Sequence, residues 1–172
     1  IGGIIVEPVM RGINSQIGFL QGLRVICDKY KIPLIFDEVI TGYRVSLGGA
    51  QHYFGITPDL AIYGKSLGAG YPIGAIVGAD SLMRYLDPSS DNGDYIFSIG
   101  SFHSNPLCST AALYCIRELQ KKGSYEKLNN YGKGLTLGLS KIFKKYNIPH
   151  FMTGLGSIVE FFFTDEAVTD YK

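Results

Sequence analysis

The chain has almost no excess of charge of either sign. Its 172 residues hold 16 Lys and Arg against 15 Asp and Glu, a formal net charge of +1. That balance speaks against a nucleic-acid reader built on a basic surface. The lysine pairs at 121–122 and 144–145 fall near predicted helix ends, where cations favour the dipole. Cysteine is scarce, and the count of three is odd. This excludes a disulfide framework and fits a reducing compartment: the cytoplasm, or the stroma of a plastid or other organelle in a eukaryote. Cys108 and Cys115 share one predicted helix and read as core residues. His52, His103 and His150 have no metal-ligand spacing among themselves or with the cysteines, so no metal is expected. No apolar run reaches membrane-spanning length, and "IGGIIVEPV" lacks a charged leader before a long apolar stretch, so no membrane association is expected. Beginning without methionine, directly in a strand-like run, the sequence reads as an excerpt from a longer polypeptide.

What is present is a core. With 46% hydrophobic and 18% charged residues, the chain has the composition of an ordinary globular domain. "GGIIVEP" reads as a short buried strand, the stretch to Gly18 as a loop, and Gly18 to Tyr30 as a helix with Phe19, Leu23, Ile26 and Tyr30 on one face. "IPLIFD" is the next strand, so the first three elements form a βαβ unit with parallel, neighbouring strands and a right-handed crossover. "AQHYFG" reads as a helical turn stopped at Gly55, "LAIYG" as a third buried strand, and residues 68–78 as a Gly-rich turn leading into the strand "AIV". Asp80 is expected to cap a brief helix to Leu86, followed by a polar loop. Asn105-Pro106 starts a helix that can run to Gly123. A second helix, Tyr125 to Tyr146, carries Leu128, Tyr131, Leu135, Leu139 and Ile142 as its expected buried stripe, weakened by Gly132, Gly134 and Gly138. "IVEFFF" is a strand after two long helices and is expected to open a second domain. The fold class is α/β, with a mostly parallel sheet and flanking helices.

The informative pair is Asp37, ending one buried strand, and Lys65, ending another. Parallel strands place their carboxyl ends on one edge, where open α/β folds bind ligands, so an amine and a carboxylate could meet across one molecule. A structural ion pair is the plain alternative. Three chemistries compete for these residues. A P-loop nucleotidase would use "PLIFDE" for magnesium and "GKS" for phosphate, but Asp59 stands where its phosphate loop needs glycine. A serine hydrolase would use "GKSLG", with Asp91 or Asp94 and His103 completing a triad, yet Gly68, Gly70, Pro72 and Gly74 deny the helix that a nucleophile elbow requires. Pyridoxal phosphate chemistry needs a lysine for the aldehyde and an acid for the pyridinium nitrogen, and Lys65 and Asp37 are those two groups.

"IVEPVM", "LIFDEVITGYR", "GGAQHYFGITPDLAIYGKSLGAGYPIGAIVG" and "GSFHSNPLCSTAAL" together resemble the class-III aminotransferases, most closely those similar to glutamate-1-semialdehyde 2,1-aminomutase. The resemblance runs from about Ile4 to Tyr171. It implies a fold-type-I enzyme, aspartate-aminotransferase-like, with residues 1–146 as the later part of the pyridoxal 5'-phosphate-binding large domain and 147–172 as the start of a small α+β C-terminal domain. It implies Lys65 as the Schiff-base lysine, Asp37 as partner of the pyridine nitrogen and Val39 packed on one ring face. Gly100 and Ser101 would reach the cofactor phosphate of a neighbouring subunit, giving a homodimer with composite sites. The implied reaction is amino-group transfer on a small amino or keto acid, between two molecules or within one. Tyr43 and Arg44, matching the aromatic-Arg pair after the acidic motif, are expected to be structural. A non-catalytic relative kept for dimerisation or scaffolding is the alternative from another class.

Overall fold

The computed structural model describes residues 1–16, 18–89, 95–98, 100 and 103–169. The chain begins with β1 (Ile4–Val6), a small ladder of β2 (Val9–Met10) and β3 (Ile13–Asn14), α1 (Phe19–Tyr30), β4 (Leu34–Asp37), α2 (Gly49–Phe54) and β5 (Leu60–Tyr63). A 3-10 turn over Lys65–Gly68 leads to β6 (Ala75–Gly78), α3 (Asp80–Met83), α4 (Pro106–Leu119), α5 (Ser124–Lys145) and the hairpin of β7 (Phe151–Leu155) with β8 (Ile158–Phe162). The main sheet has the order β1-β4-β5-β6. β1, β4 and β5 run parallel, as the βαβ reading requires, and β6 returns antiparallel after the Gly-rich turn.

Strand alternation divides this sheet into two unlike faces. Leu34 and Phe36 are fully buried with Leu20 and Cys27 of α1, and Ile4 and Val6 join them. Ala61 and Tyr63 lie on the same face by register and pack against Leu67 and against Ala112 and Ile116 of α4. The opposite face carries Ile5, Ile35, Asp37, Ile62 and Ile76, aligned by pairing. Both of its outer positions are open, Ile5 at 61% and Ile76 at 54% exposure. Asp37 therefore stands on the face that no described helix covers.

Several local expectations change. Residues 9–14 form a ladder rather than a plain loop, because Arg11 and Gly12 both take positive φ (51 and 68°), the twist that a two-residue hairpin turn needs. In α1 the buried stripe is Leu20, Leu23 and Cys27, while Phe19, Ile26 and Tyr30 are exposed. The sheet holds α1 by its other apolar edge. Asp80 is the first residue of α3, not its cap; that place belongs to Ala79, and no side chain caps it. Asn105 does cap α4, its Oδ1 accepting from the amides of Leu107 (3.0 Å) and Cys108 (3.2 Å). In α5 the expected stripe is displaced: Tyr131, Leu135 and Ile142 are exposed, whereas Gly132 and Phe143 are buried. A Cβ at Gly132 would collide with the carbonyl oxygen of Gly156 in the β7–β8 turn, so this glycine lets the hairpin sit against the helix. The hairpin is also tied to the rest of the chain by Thr153 Oγ1 donating to the Arg11 carbonyl (3.0 Å) and Ser157 Oγ to that of Arg44 (3.3 Å).

Candidate active site

β4 is an apolar run that must be buried on the α1 face, and its alternation turns Asp37 to the other face. Asp37 pairs with Ile62 of the parallel neighbour, and the ladder continues one step as Glu38 N donates to the Ile62 carbonyl (2.9 Å). Lys65 follows just beyond the end of β5. Strand spacing and rise put the two Cα atoms roughly 10 Å apart, a gap that a carboxylate and a four-carbon amine can close on one aromatic ring. Asp37 is half-buried, and its Oδ1 accepts from the amide of Val39 (3.0 Å). The Val39 side chain lies over Gly64, its Cγ1 3.5 Å from where a Cβ would stand. Asp37, Val39 and the Gly64-Lys65 step thus form one small surface.

Lys65 is exposed, and its amine has no hydrogen bond or ion pair among the described residues. Its backbone is left-handed, φ 43°, a conformation that costs a non-glycine residue about 1–3 kcal/mol and needs support from its surroundings. The support is visible. Leu67 is buried against α4, and Cys115 Sγ of that helix donates to the Ser66 carbonyl (3.2 Å). Burial pushes the Cys115 thiol up, with Arg44 opposing. Ser66 Oγ is itself buried with no partner among the described residues, so it lacks both the exposure and the adjacent base that a hydrolytic nucleophile requires. Asp91 and Asp94, the acids of that reading, lie outside the described residues.

Of the other expected site residues, Ser101 also lies outside the described residues. Gly100 is exposed, and its carbonyl accepts from His103 N (2.9 Å). The His103 ring fills the space beside its Cα, and no hydrogen bond ties it to Asp37 or Lys65. Tyr43 packs on Tyr63, with ring centroids 5.3 Å apart, and accepts at its carbonyl from Tyr125 Oη (3.1 Å), a structural placement.

Glu38 is the residue that sequence reading passed over. Its side chain is 0% exposed and accepts from Thr41 Oγ1 (2.8 Å) and from the amides of Ala50 (2.6 Å) and Gln51 (3.0 Å) at the start of α2. Gly49, at φ 70°, leaves the space that the carboxylate fills. Gln51 Nε2 in turn donates to Tyr63 Oη, two residues before Lys65. Burial first, and the nearby Glu38 second, push the Tyr63 phenol up to about 12. A signal existed: by strand alternation Glu38 must point inward, and a buried carboxylate demands donors.

This geometry defines a class first: α/β proteins with a mostly parallel sheet, here with a carboxylate and an amine at the carboxyl ends of adjacent strands. The chain belongs to the class-III aminotransferases, whose family model matches residues 1–171. It is 43% identical, over its whole length, to glutamate-1-semialdehyde 2,1-aminomutase 2 of Brevibacillus brevis, and spans 40% of that protein. Among solved structures, an omega-transaminase from Sphaerobacter thermophilus superposes with a TM-score of 0.86 at 32% identity, covering 98% of this chain and 38% of its own. A transaminase with PLP bound superposes at 0.79 with 28% identity, covering 90% and 36%. The fold is that of the transaminases.

Proposed function

We propose that this chain carries the lysine-bearing part of a pyridoxal 5'-phosphate enzyme that moves amino groups, a class-III aminotransferase or an aminomutase of the glutamate-1-semialdehyde kind. The observation that carries this reading is the β4–β5 register. It sets Asp37 and the free amine of Lys65 at neighbouring strand ends, Asp37 on the open face of the sheet. The residues fit the cofactor: among the described residues, the Lys65 amine has no partner, one Asp37 oxygen is bonded to a local amide, and the buried Ser66 hydroxyl is unsatisfied. When bound, pyridoxal phosphate supplies an electron sink for a substrate carbon that loses its proton.

The chain's own groups do the rest. The Lys65 amine would hold the group at its aldehyde carbon and, as a free base, would take and return the proton at the substrate carbon. Asp37 would keep a proton on the ring nitrogen, as a carboxylate beside a cation favours the charged form. Val39 covers one ring face. Gly100 and Ser101 would reach the phosphate held in a second subunit, making a homodimer with composite sites; the exposure of Gly100 supports this. The substrate is a small amino or keto acid. Dependence on a separate keto acid marks a transaminase, and turnover of one substrate alone marks a mutase.

Residues 1–146 are the later part of the large domain and 147–172 open the small one, a division supported by the separate pairing of β7 with β8. No described helix is long and apolar enough to cross a membrane, and all three cysteines are free, which supports a cytoplasmic setting. Substitution tests the reading. In the full-length protein, Lys65→Ala should remove the visible absorbance of lysine-held cofactor and lower amino transfer by at least about 10²-fold. Asp37→Asn should retain the absorbance but slow turnover. Full turnover by Lys65→Ala would overturn the role given to Lys65, and a wild-type protein without amino transfer would overturn the proposal and leave a dimerisation or scaffold role, which Lys65→Ala would not disturb.

A further inference from the structure

Asp37 and Lys65 belong to different strands, and their separation must hold for both to engage one small ring. The parallel ladder fixes the strands up to Ile62 and Glu38, but the left-handed turn at Lys65 lies past its last bond. Among the described residues, a hydrogen-bonded connection spans the two strand ends on the side away from Asp37. Glu38, the residue after Asp37, holds the amides of Ala50 and Gln51 on its buried carboxylate. The side chain of the same Gln51 donates to Tyr63 Oη, at the end of β5. The first turn of α2 is thereby fastened to β4 through its backbone and to β5 through one side chain.

We propose that Glu38, Gln51 and Tyr63 are positioning residues that clamp the carboxyl ends of β4 and β5 and so set the distance from Asp37 to Lys65. The inference rests on the cofactor reading above, but the clamp itself is a property of the protein alone. It works through geometry. Glu38 is rigid because three donors and a glycine-lined space fix its carboxylate, and Gln51 transmits that rigidity because its amide N–H and its side chain bond in different directions. Tyr63 is packed between Tyr43 and α4, so a displaced phenol would carry Gly64 and Lys65 with it. None of the three needs to touch the cofactor.

The test uses Gln51→Leu and Tyr63→Phe, which remove the same hydrogen bond from opposite sides, and their double variant. In the cofactor-loaded full-length protein, each single change should shift the pH midpoint of the lysine-held cofactor's visible band in the same direction. Each should also speed cofactor release by about tenfold. The double variant should do no more than either single one, since one bond is lost in every case. A merely structural role would lower the melting temperature yet leave the midpoint at the wild-type value, and that result would overturn the proposal, as would additive shifts. A cofactor-free arm separates this failure from failure of the functional reading. Amides of residues 60–68 should exchange with deuterium faster in Gln51→Leu than in wild type, while those of β1 stay unchanged. If the wild type holds no cofactor, the functional reading falls and the exchange data still decide the clamp. Equal exchange at 60–68 would overturn it.

Discussion

Two neighbouring carboxylates, Asp37 and Glu38, have opposite fates. Alternation sends Asp37 to the open face, where it has one local hydrogen bond, and Glu38 to the interior, where it has three. Composition cannot distinguish them; the parity of a strand can. Tyr63 and Tyr125 are the two phenols whose chemistry burial changes most. Both phenols are pushed up to about 12 from an ordinary 10, by burial first, then by Glu38 beside Tyr63 and Cys115 beside Tyr125. The folded chain holds these protons more tightly than the unfolded chain, so their contribution to stability is complete below pH 10 and is lost as pH rises through about 12. Denaturant titrations from pH 9 to 12 should show stability falling across this window. The Tyr63→Phe, Tyr125→Phe double variant should fall less steeply, and an equal slope would contradict the assignment.

At the scale of elements, glycine has two meanings in one helix. In α5 the sequence presents Gly132, Gly134 and Gly138 as three equal weaknesses, but only Gly132 meets another backbone, while Gly134 and Gly138 have open space beside them. Gly132→Ala should destabilise by about 1–3 kcal/mol through overpacking against the β7–β8 turn. Gly134→Ala and Gly138→Ala should each stabilise by about 0.5–1 kcal/mol through helix propensity. Thermal unfolding of the three variants checks this, and equal effects would contradict it. The same contact explains what periodicity could not read. A 3.6-residue pattern finds apolar faces, but α5 has more than one, and the face used is chosen by a hairpin that arrives later in the chain. Phe19, Ile26 and Tyr30 of α1 misled for the same reason. Signals that are local in physics were legible: the apolar runs of β4 and β5, the Asn105-Pro106 cap and the left-handed stop at Gly55. The ladder at 9–14 was not, because Arg-Gly is a weak announcement of a turn usually marked by Asn-Gly.

For the whole molecule, the parallel strands and the site are reached by one argument. Buried strands that run parallel must end on a common edge, and the residues after those ends are the ones a ligand meets. The placement of Asp37 and Lys65 at neighbouring strand ends was legible from that rule before any helix was placed, whereas the Glu38–Gln51–Tyr63 connection needed three-dimensional contacts between segments 12 or more residues apart. The measurement that bears most directly on the central claim is borohydride reduction of the pyridoxal-phosphate-loaded full-length protein, followed by peptide mapping. One reduced adduct, on Lys65, is the expected result. An adduct on a different lysine, or none, would contradict it.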